Sequence, residues 1–404
     1  MTAPPSAAAP AASPAAPSFR DVRGRGFSRR STLESAWAWI DGRVAPPVAR
    51  PLPLADCADL VLAEAVAAVG DWPPADRAAT DGYAVAAANT LGAGSYNPMP
   101  LMGAVAVVAG DPLPPGCDGV IPYESAQTAG PFVEAVDAVA PGSGVERRCA
   151  WMADGSPLLP AGRRLRPADL GLLAAAGHRT LPVLPAPRVR LLLAGGPKAG
   201  APEQLVGMLA ALVRRDGGDV EAVVPLPADM DSLADAFTRP GADLILSAGR
   251  TGTGPDDAAP PALAKAGSLD LHGIAMRPGG SAGLGSAAGV PALLLPGEPM
   301  AALAAYELLG GRAVRRAAGL PAGLPHATVQ AVTARKLVSE IGCLDLHRVR
   351  LDEEGRVEPV GSPGWPGLAA AARADGFVLI GADSEGVPDG AAVTMYDFTM
   401  YRFT

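Results

Sequence analysis

The chain has 404 residues, 49% hydrophobic and 18% charged, which suits two to four domains with a sizeable buried core. A net charge of −8 offers no basic stripe for nucleic acid, and no apolar run reaches the about 18 residues of a membrane span. Cys57, Cys117, Cys149 and Cys343 form no C-x-x-C pair, which argues against a zinc site or a disulfide framework.

His178, His272, His326 and His347 are equally scattered, and only Lys198, Lys265 and Lys336 are lysines among 33 basic residues. Any anionic ligand must therefore be held by local groups. A soluble protein in the reducing cytoplasm is expected.

Residues 1–18 are Ala, Pro and Ser without hydrophobic periodicity, and with residues up to 30 they read as a disordered tail. Phe27-Ser28-Arg29-Arg30-Ser31 has the look of a twin-arginine signal. However, the charged, helical Thr32–Asp41 that follows is not an apolar h-region. A cytoplasmic helix beginning at Ser31 or Thr32 is the expectation, within an N-terminal helical segment over 31–72. Leu54–Val69, with Leu60, Val61, Ala65 and Ala68 at helical spacing, predicts a second helix.

Residues 73–150 carry alternating Val, Ala and Gly with turns such as Gly110-Asp111-Pro112 and read as a β-rich inserted domain. A connecting segment, 151–186, contains a helix from Pro167 to Ala176. Over 187–320 strands and helices alternate: strands at Val189–Leu193, Asp219–Val224, Leu244–Leu246, Leu269–Met276 and Ala292–Leu295, and helices at Pro202–Arg215, Met230–Phe237, Ala258–Ala266 and Met300–Leu309. That rhythm predicts an α/β domain with a central parallel sheet and helices on both faces. Five further short strands over 321–404 predict a small C-terminal β-barrel.

In open α/β sheets, ligands bind at the carboxyl ends of the strands. Three loops fall there. Ser247-Ala248-Gly249-Arg250-Thr251-Gly252 continues to the carboxylates Asp256 and Asp257. Met276–Gly283 places Arg277 beside Gly279 and Gly280. Leu295-Pro296-Gly297-Glu298-Pro299 puts Pro299 at the first position of a helix. Glycines, hydroxyls and a helix N-terminus make an oxyanion cradle, with Arg250 and Arg277 as charge partners and the carboxylates suited to a divalent cation. Neither a G-x-G-x-x-G nor a G-x-x-x-x-G-K-[ST] fingerprint is present.

Ala79-Thr80-Asp81-Gly82-Tyr83-Ala84-Val85 resembles the Ala-Met-Asp-Gly-Tyr-Ala-Val signature of the molybdopterin molybdenumtransferase family, the relatives of the gephyrin C-terminal region. The likeness continues through Ala109–Val120, Gly162–Gly177, Pro187–Gly195, Ser247–Asp256 and Leu295–Pro299, in order over residues 31–404. It implies insertion of molybdenum into adenylylated molybdopterin, with molybdate as co-substrate, AMP released and Mg2+ assisting. It also implies a homodimer whose pocket pairs the α/β domain of one subunit with the β-rich domain of the other. A molybdoenzyme or another cofactor-biosynthesis protein would be the client.

By that resemblance Asp81 and Asp256 are the catalytic acidic residues, with Asp256 the metal ligand. Ser247, Gly249, Arg250, Thr251, Arg277, Gly279, Pro296, Gly297 and Pro299 would bind substrate. The chain departs from the family pattern at Ala109, Ala150-Trp151, Gly195-Gly196-Pro197-Lys198, Gly280-Ser281 and Glu298. The last puts a carboxylate where a helix N-terminus should face a phosphate. Groups that act as a unit fail together, so two readings stand: a divergent molybdenumtransferase, or a non-catalytic molybdopterin-binding or maturation partner on the same fold.

Overall fold

The computed structural model describes residues 20–130, 132–195, 202–361 and 367–402. The tail 1–18 and Gly196-Pro197-Lys198 lie outside the described residues. The chain divides into two compact units, Ala49–Val183 and the flanking chain up to Val48 and from Leu184.

Helix α1, Leu33–Arg43, starts where the Thr32 hydroxyl accepts the Ser35 N–H, and it buries Leu33, Ala36 and Ile40. It packs into the second-named unit, pinned by Trp37 Nε1 donating to the Leu308 carbonyl at 2.8 Å and by Trp39 Nε1 donating to Asp270 at 2.7 Å.

In the Ala49–Val183 unit the helix expected at Leu54–Val69 does not form. The segment holds one 3-10 turn at Leu54–Asp56 and two short strands at Val61–Leu62 and Val66–Ala67. Its backbone is claimed by distant partners: Leu62 N–H donates to the Arg163 carbonyl, Ala63 to Pro182 and Ala68 to Ser156. Tertiary pairing overrides a short helical pattern.

Strand β1, Gly82–Val85, lies between β2, Val105–Val107, and β3, Gly119–Pro122, both antiparallel to it. Gly82 is required there, because a Cβ would stand 2.0 Å from the Ile121 carbonyl oxygen. Helix α2 spans Pro167–Ala175, as expected.

The α/β region runs β4 (Arg188–Ala194), α3 (Pro202–Arg215), β5 (Asp219–Leu226), α4 (Met230–Thr238), β6 (Leu244–Ala248), α5 (Ala259–Ala266), β7 (Gly267–His272), β8 (Gly283–Ala287), β9 (Val290–Leu295) and α6 (Pro299–Ala305). A π-turn over Tyr306–Gly310 joins α6 to α7, Gly311–Ala317. Strand order is β5-β4-β6-β9-β8-β7. Strands β5, β4, β6 and β9 are parallel, whereas β8 and β7 are antiparallel to their neighbours, so the sheet is mixed.

The departure from a parallel sheet has a local cause. Ala287 pairs with Val290 across a two-residue turn in which Ala288 and Gly289 both hold positive φ, 49° and 81°. Such turns fold a strand directly back on its predecessor. Ala at the first turn position gave no Asn-Gly signal, and the glycines of Gly283–Ala287 disguised β8 as a loop.

Apolar residues on both faces explain the layers. Leu191, Leu193, Leu244, Leu246, Leu293 and Leu295 share a core with α1, α3, α6 and α7. Leu192, Ile245 and Leu294 share the other with α4 and α5.

At the C-terminal end, β10 (His326–Val332), β11 (Leu344–Leu351), β12 (Gly376–Ile380) and β13 (Ala392–Tyr401) form an open sheet. Its order is the short strand Met276–Arg277, then β11-β12-β13-β10. This differs from the expected barrel, because β11 is occupied on one side by Met276–Arg277 from the α/β region.

Candidate functional site

The three loops anticipated from the sequence converge. Gly249 N–H donates to the Leu295 carbonyl at 3.0 Å. A Cβ on Gly297 would stand 3.0 Å from the Gly249 Cα, and one on Gly249, whose φ is 97°, would stand 2.3 Å from the Ala194 carbonyl oxygen. Glycine at both positions lets backbone meet backbone. Thr251 Oγ1 lies 3.1 Å from Ser281 Oγ, tying the β6 loop to the Met276–Gly283 loop. Gly279 (φ 113°) closes the latter against Met276 and the Ala301 carbonyl. Pro296 is buried and Pro299 opens α6.

Ser247, next to last in β6, is fully buried, yet its Oγ has no hydrogen-bond partner among the described residues. A buried hydroxyl left unpaired costs free energy, so this group suits a ligand oxygen. Arg250 holds φ 56°, an outlier of the kind found in binding loops.

Other expected site residues are engaged differently. Arg277 Nε and Nη2 donate to the two Asp345 oxygens at 2.6 Å each, and its Nη1 pairs with Glu340. It therefore brings no uncompensated charge to the cradle. Burial would raise the Asp345 carboxyl, but bonds from His347, Arg277 and Ser339 hold it down at about 2.

Glu298 is the N-cap of α6. Its two oxygens accept the Met300 N–H at 3.1 Å and the Ala301 N–H at 2.7 Å. The helix terminus expected to face an anion is thus filled by the chain's own carboxylate. Asp81 lies in the other unit, exposed, and accepts the Ala109 N–H at 2.7 Å.

The adjacent carboxylates differ. Asp257 turns back to accept the Gly254 N–H at 2.6 Å, whereas Asp256 is exposed and makes no bond among the described residues. Those residues contain no group of three or more His, Cys, Asp or Glu able to hold a metal. Mg2+ commonly takes one or two carboxylates plus substrate phosphates, and Asp256 fits that partial role.

Sequence reasoning missed the N-terminal segment, which had been grouped with the tail. Gly24 N–H donates to the Thr253 carbonyl at 2.8 Å, and the Phe27 ring meets His272 edge-on at 4.9 Å. His272 Nε2 lies 2.9 Å from the Thr251 carbonyl, which can only accept, so Nε2 carries the proton, and the buried Nδ1 has no partner among the described residues. Burial lowers the His272 pKa, keeping the ring neutral. Residues 20–31 have no periodicity, and only Phe27 hinted that they pack.

A separate buried network joins Arg215 to Glu307 at 2.6 Å and Arg315 to Asp216 at 3.1 Å. It borders a cavity of about 400 Å³ lined by Trp37, His326 and Tyr396 among others, which shares no residue with the three loops.

Fold and loops define a multidomain α/β protein in which three glycine-bearing loops meet at the strand ends. Comparison with known proteins narrows the class. Residues 31–177 match the family model described as MoeA N-terminal region (domain I and II). Residues 202–316 match a probable molybdopterin binding domain, and 330–398 match the MoeA C-terminal region (domain IV). Molybdopterin molybdenumtransferase 2 of Mycobacterium tuberculosis is 32% identical over 392 residues, 87% of this chain and 96% of that protein. A putative molybdopterin biosynthesis protein of Methanocaldococcus jannaschii is 27% identical, covering 83% of this chain and 89% of its own length. The molybdopterin biosynthesis moeA protein of Pyrococcus horikoshii shares the fold, with a TM-score of 0.70 at 24% identity over 92% of this chain and 100% of that one. The chain belongs to the molybdopterin molybdenumtransferase family, whose work is molybdenum cofactor biosynthesis.

Proposed function

We propose that the chain inserts molybdenum from molybdate into adenylylated molybdopterin and releases AMP. The observation that carries this reading is the cradle itself, where Gly249 and Gly297 meet backbone to backbone beside the unpartnered Ser247 hydroxyl. In it, Ser247, Thr251 and the loop backbone hold the substrate phosphates, and Arg250 compensates their charge. Asp256 holds Mg2+ together with those phosphates. The bound cation would neutralise charge as the bond between the pterin phosphate and AMP breaks. Asp81 orders metal or water in a homodimer working in the cytoplasm, with a molybdoenzyme or another biosynthetic protein as client.

The test gives purified protein adenylylated molybdopterin, molybdate and Mg2+ and measures AMP. Release that Asp256→Ala abolishes supports the reading. Release unchanged in Asp256→Ala refutes the role of Asp256.

A second reading is favoured by Glu298, which takes the two N–H groups an anion would use. On it, the chain binds molybdopterin and passes it on without turnover. Pterin binding with no AMP above the buffer level selects that reading.

A further inference from the structure

The cradle keeps only one of the two cations the sequence promised, Arg250. Arg277 is held by Asp345 and Glu340, and the α6 terminus is held by Glu298. Arg250 alone would then meet the charge of a bound oxyanion, whose burial is costly unless it is paired.

The N-terminal segment brings a replacement. Ser31 N–H donates to the Gly273 carbonyl at 2.9 Å, and Ala275 N–H donates to the Ser31 carbonyl at 2.8 Å. This pairing fixes the residue before Ser31, which is Arg30, beside Gly273-Ile274-Ala275, the stretch that leads into the Met276–Gly283 loop. Phe27 presses on Gly273, where a Cβ would stand 2.5 Å from its ring, so Gly273 (φ +84°) leaves the seat that Phe27 fills. The Arg30 guanidinium lies 5.4 Å from the Phe27 ring centroid, a stacked placement that orients a planar cation. Its Cζ is 3.6 Å from where a Cβ on Gly280 would stand. Arg30 therefore lies within ordinary contact distance of the Gly280 position, next to Ser281 and its contact with Thr251. It makes no ion pair among the described residues and is exposed.

Ser247, fully buried near the end of β6 with its Oγ unpartnered among the described residues, is a second and independent sign that the cradle takes an oxygen-rich ligand.

We propose that Arg30, carried on the Asp21–Ser31 strap and oriented by Phe27, is a second phosphate-binding cation of this cradle, beside Arg250. It is supplied from outside the α/β region in place of a basic residue on the Met276–Gly283 loop. The inference rests on the molybdopterin reading given above and names a residue that recognises the ligand's phosphate. A guanidinium suits that group because its planar fork matches two phosphate oxygens at once.

The test measures anaerobic binding of molybdopterin to the full-length chain, and of the same pterin after a phosphatase has removed its phosphate. Wild type should bind the phosphorylated form more tightly. Arg30→Ala should lose about ten-fold or more of that affinity, the scale of one charge-assisted bond, with no change toward the dephosphorylated pterin. Arg30→Lys, which keeps charge but not the fork, should fall between. Phe27→Leu should loosen the phosphorylated form alone.

Arg25→Ala, an exposed arginine on the same strap, serves as the control for net charge and should change neither affinity. Equal binding of the phosphorylated pterin by wild type and Arg30→Ala overturns the assignment while leaving the pterin reading intact. An equal loss in Arg25→Ala also overturns it, because the effect would then be a diffuse charge. If wild type binds neither form, the pterin reading falls and this assignment with it.

Discussion

Glu298→Ala should move stability and affinity in opposite directions. The side chain caps α6 through the Met300 and Ala301 N–H groups. Losing an N-cap costs about 1 kcal/mol, and losing a negative charge at a helix start costs a further ~0.3–1 kcal/mol at low salt. The variant should therefore unfold at lower denaturant, with a deficit of about 1–2 kcal/mol that shrinks as salt rises. The two N–H groups are then free for a phosphate, and a like charge has left the cradle. A gain of about 1.4 kcal/mol is ten-fold in affinity, so molybdopterin should bind up to about ten-fold tighter. Chemical unfolding and pterin titration, each at low and high salt, read the two effects. Unchanged stability would show that the cap is not formed. Weaker binding in step with lower stability would refute the idea that Glu298 competes with the ligand.

Ser247→Ala should weaken molybdopterin binding without destabilising the fold, because it removes a buried hydroxyl that has no partner. A loss of a kcal/mol or more on unfolding would mean that the hydroxyl is satisfied within the protein. Gly249→Ala adds a Cβ 2.3 Å from a backbone oxygen at φ 97°, and should cost about 3 kcal/mol or more while abolishing binding. Near-native thermal stability of that variant would contradict the packing of the loops.

His326 gives a pH prediction. Burial, then the positive charge of Arg215, lowers its pKa from 6.5 to about 3. Between those values the unfolded chain binds a proton that the folded chain refuses. Its contribution to stability is therefore complete above about pH 6.5 and lost as pH falls, by up to ~1.4 kcal/mol per pH unit. His326→Gln should flatten that fall, and parallel unfolding curves for the two proteins from pH 7 to pH 4 would rule the mechanism out.

The sequence by itself determined the elements that carry their own periodicity and punctuation. Helices α1 to α5, the strand Leu244–Leu246 and the loops at its carboxyl end were legible, because caps, apolar spacing and glycine act within a few residues. It also determined that three glycine-bearing loops meet at one sheet edge, since strands of a common direction end on a common side.

Tertiary structure alone decided the rest. Leu54–Val69 became short strands because Arg163, Pro182 and Ser156 offered backbone partners more than 80 residues away. Strand β8 reversed because Ala288 accepted a positive φ that its residue type does not announce. Which charges face the cradle was equally hidden. Arg277 sits on a site loop in sequence, but Asp345, 68 residues on, holds it. Arg30 sits in a segment without pattern, yet the fold brings its guanidinium within contact distance of the Gly280 position. Charge compensation depends on distances of a few ångströms between groups that the chain brings together only when it folds.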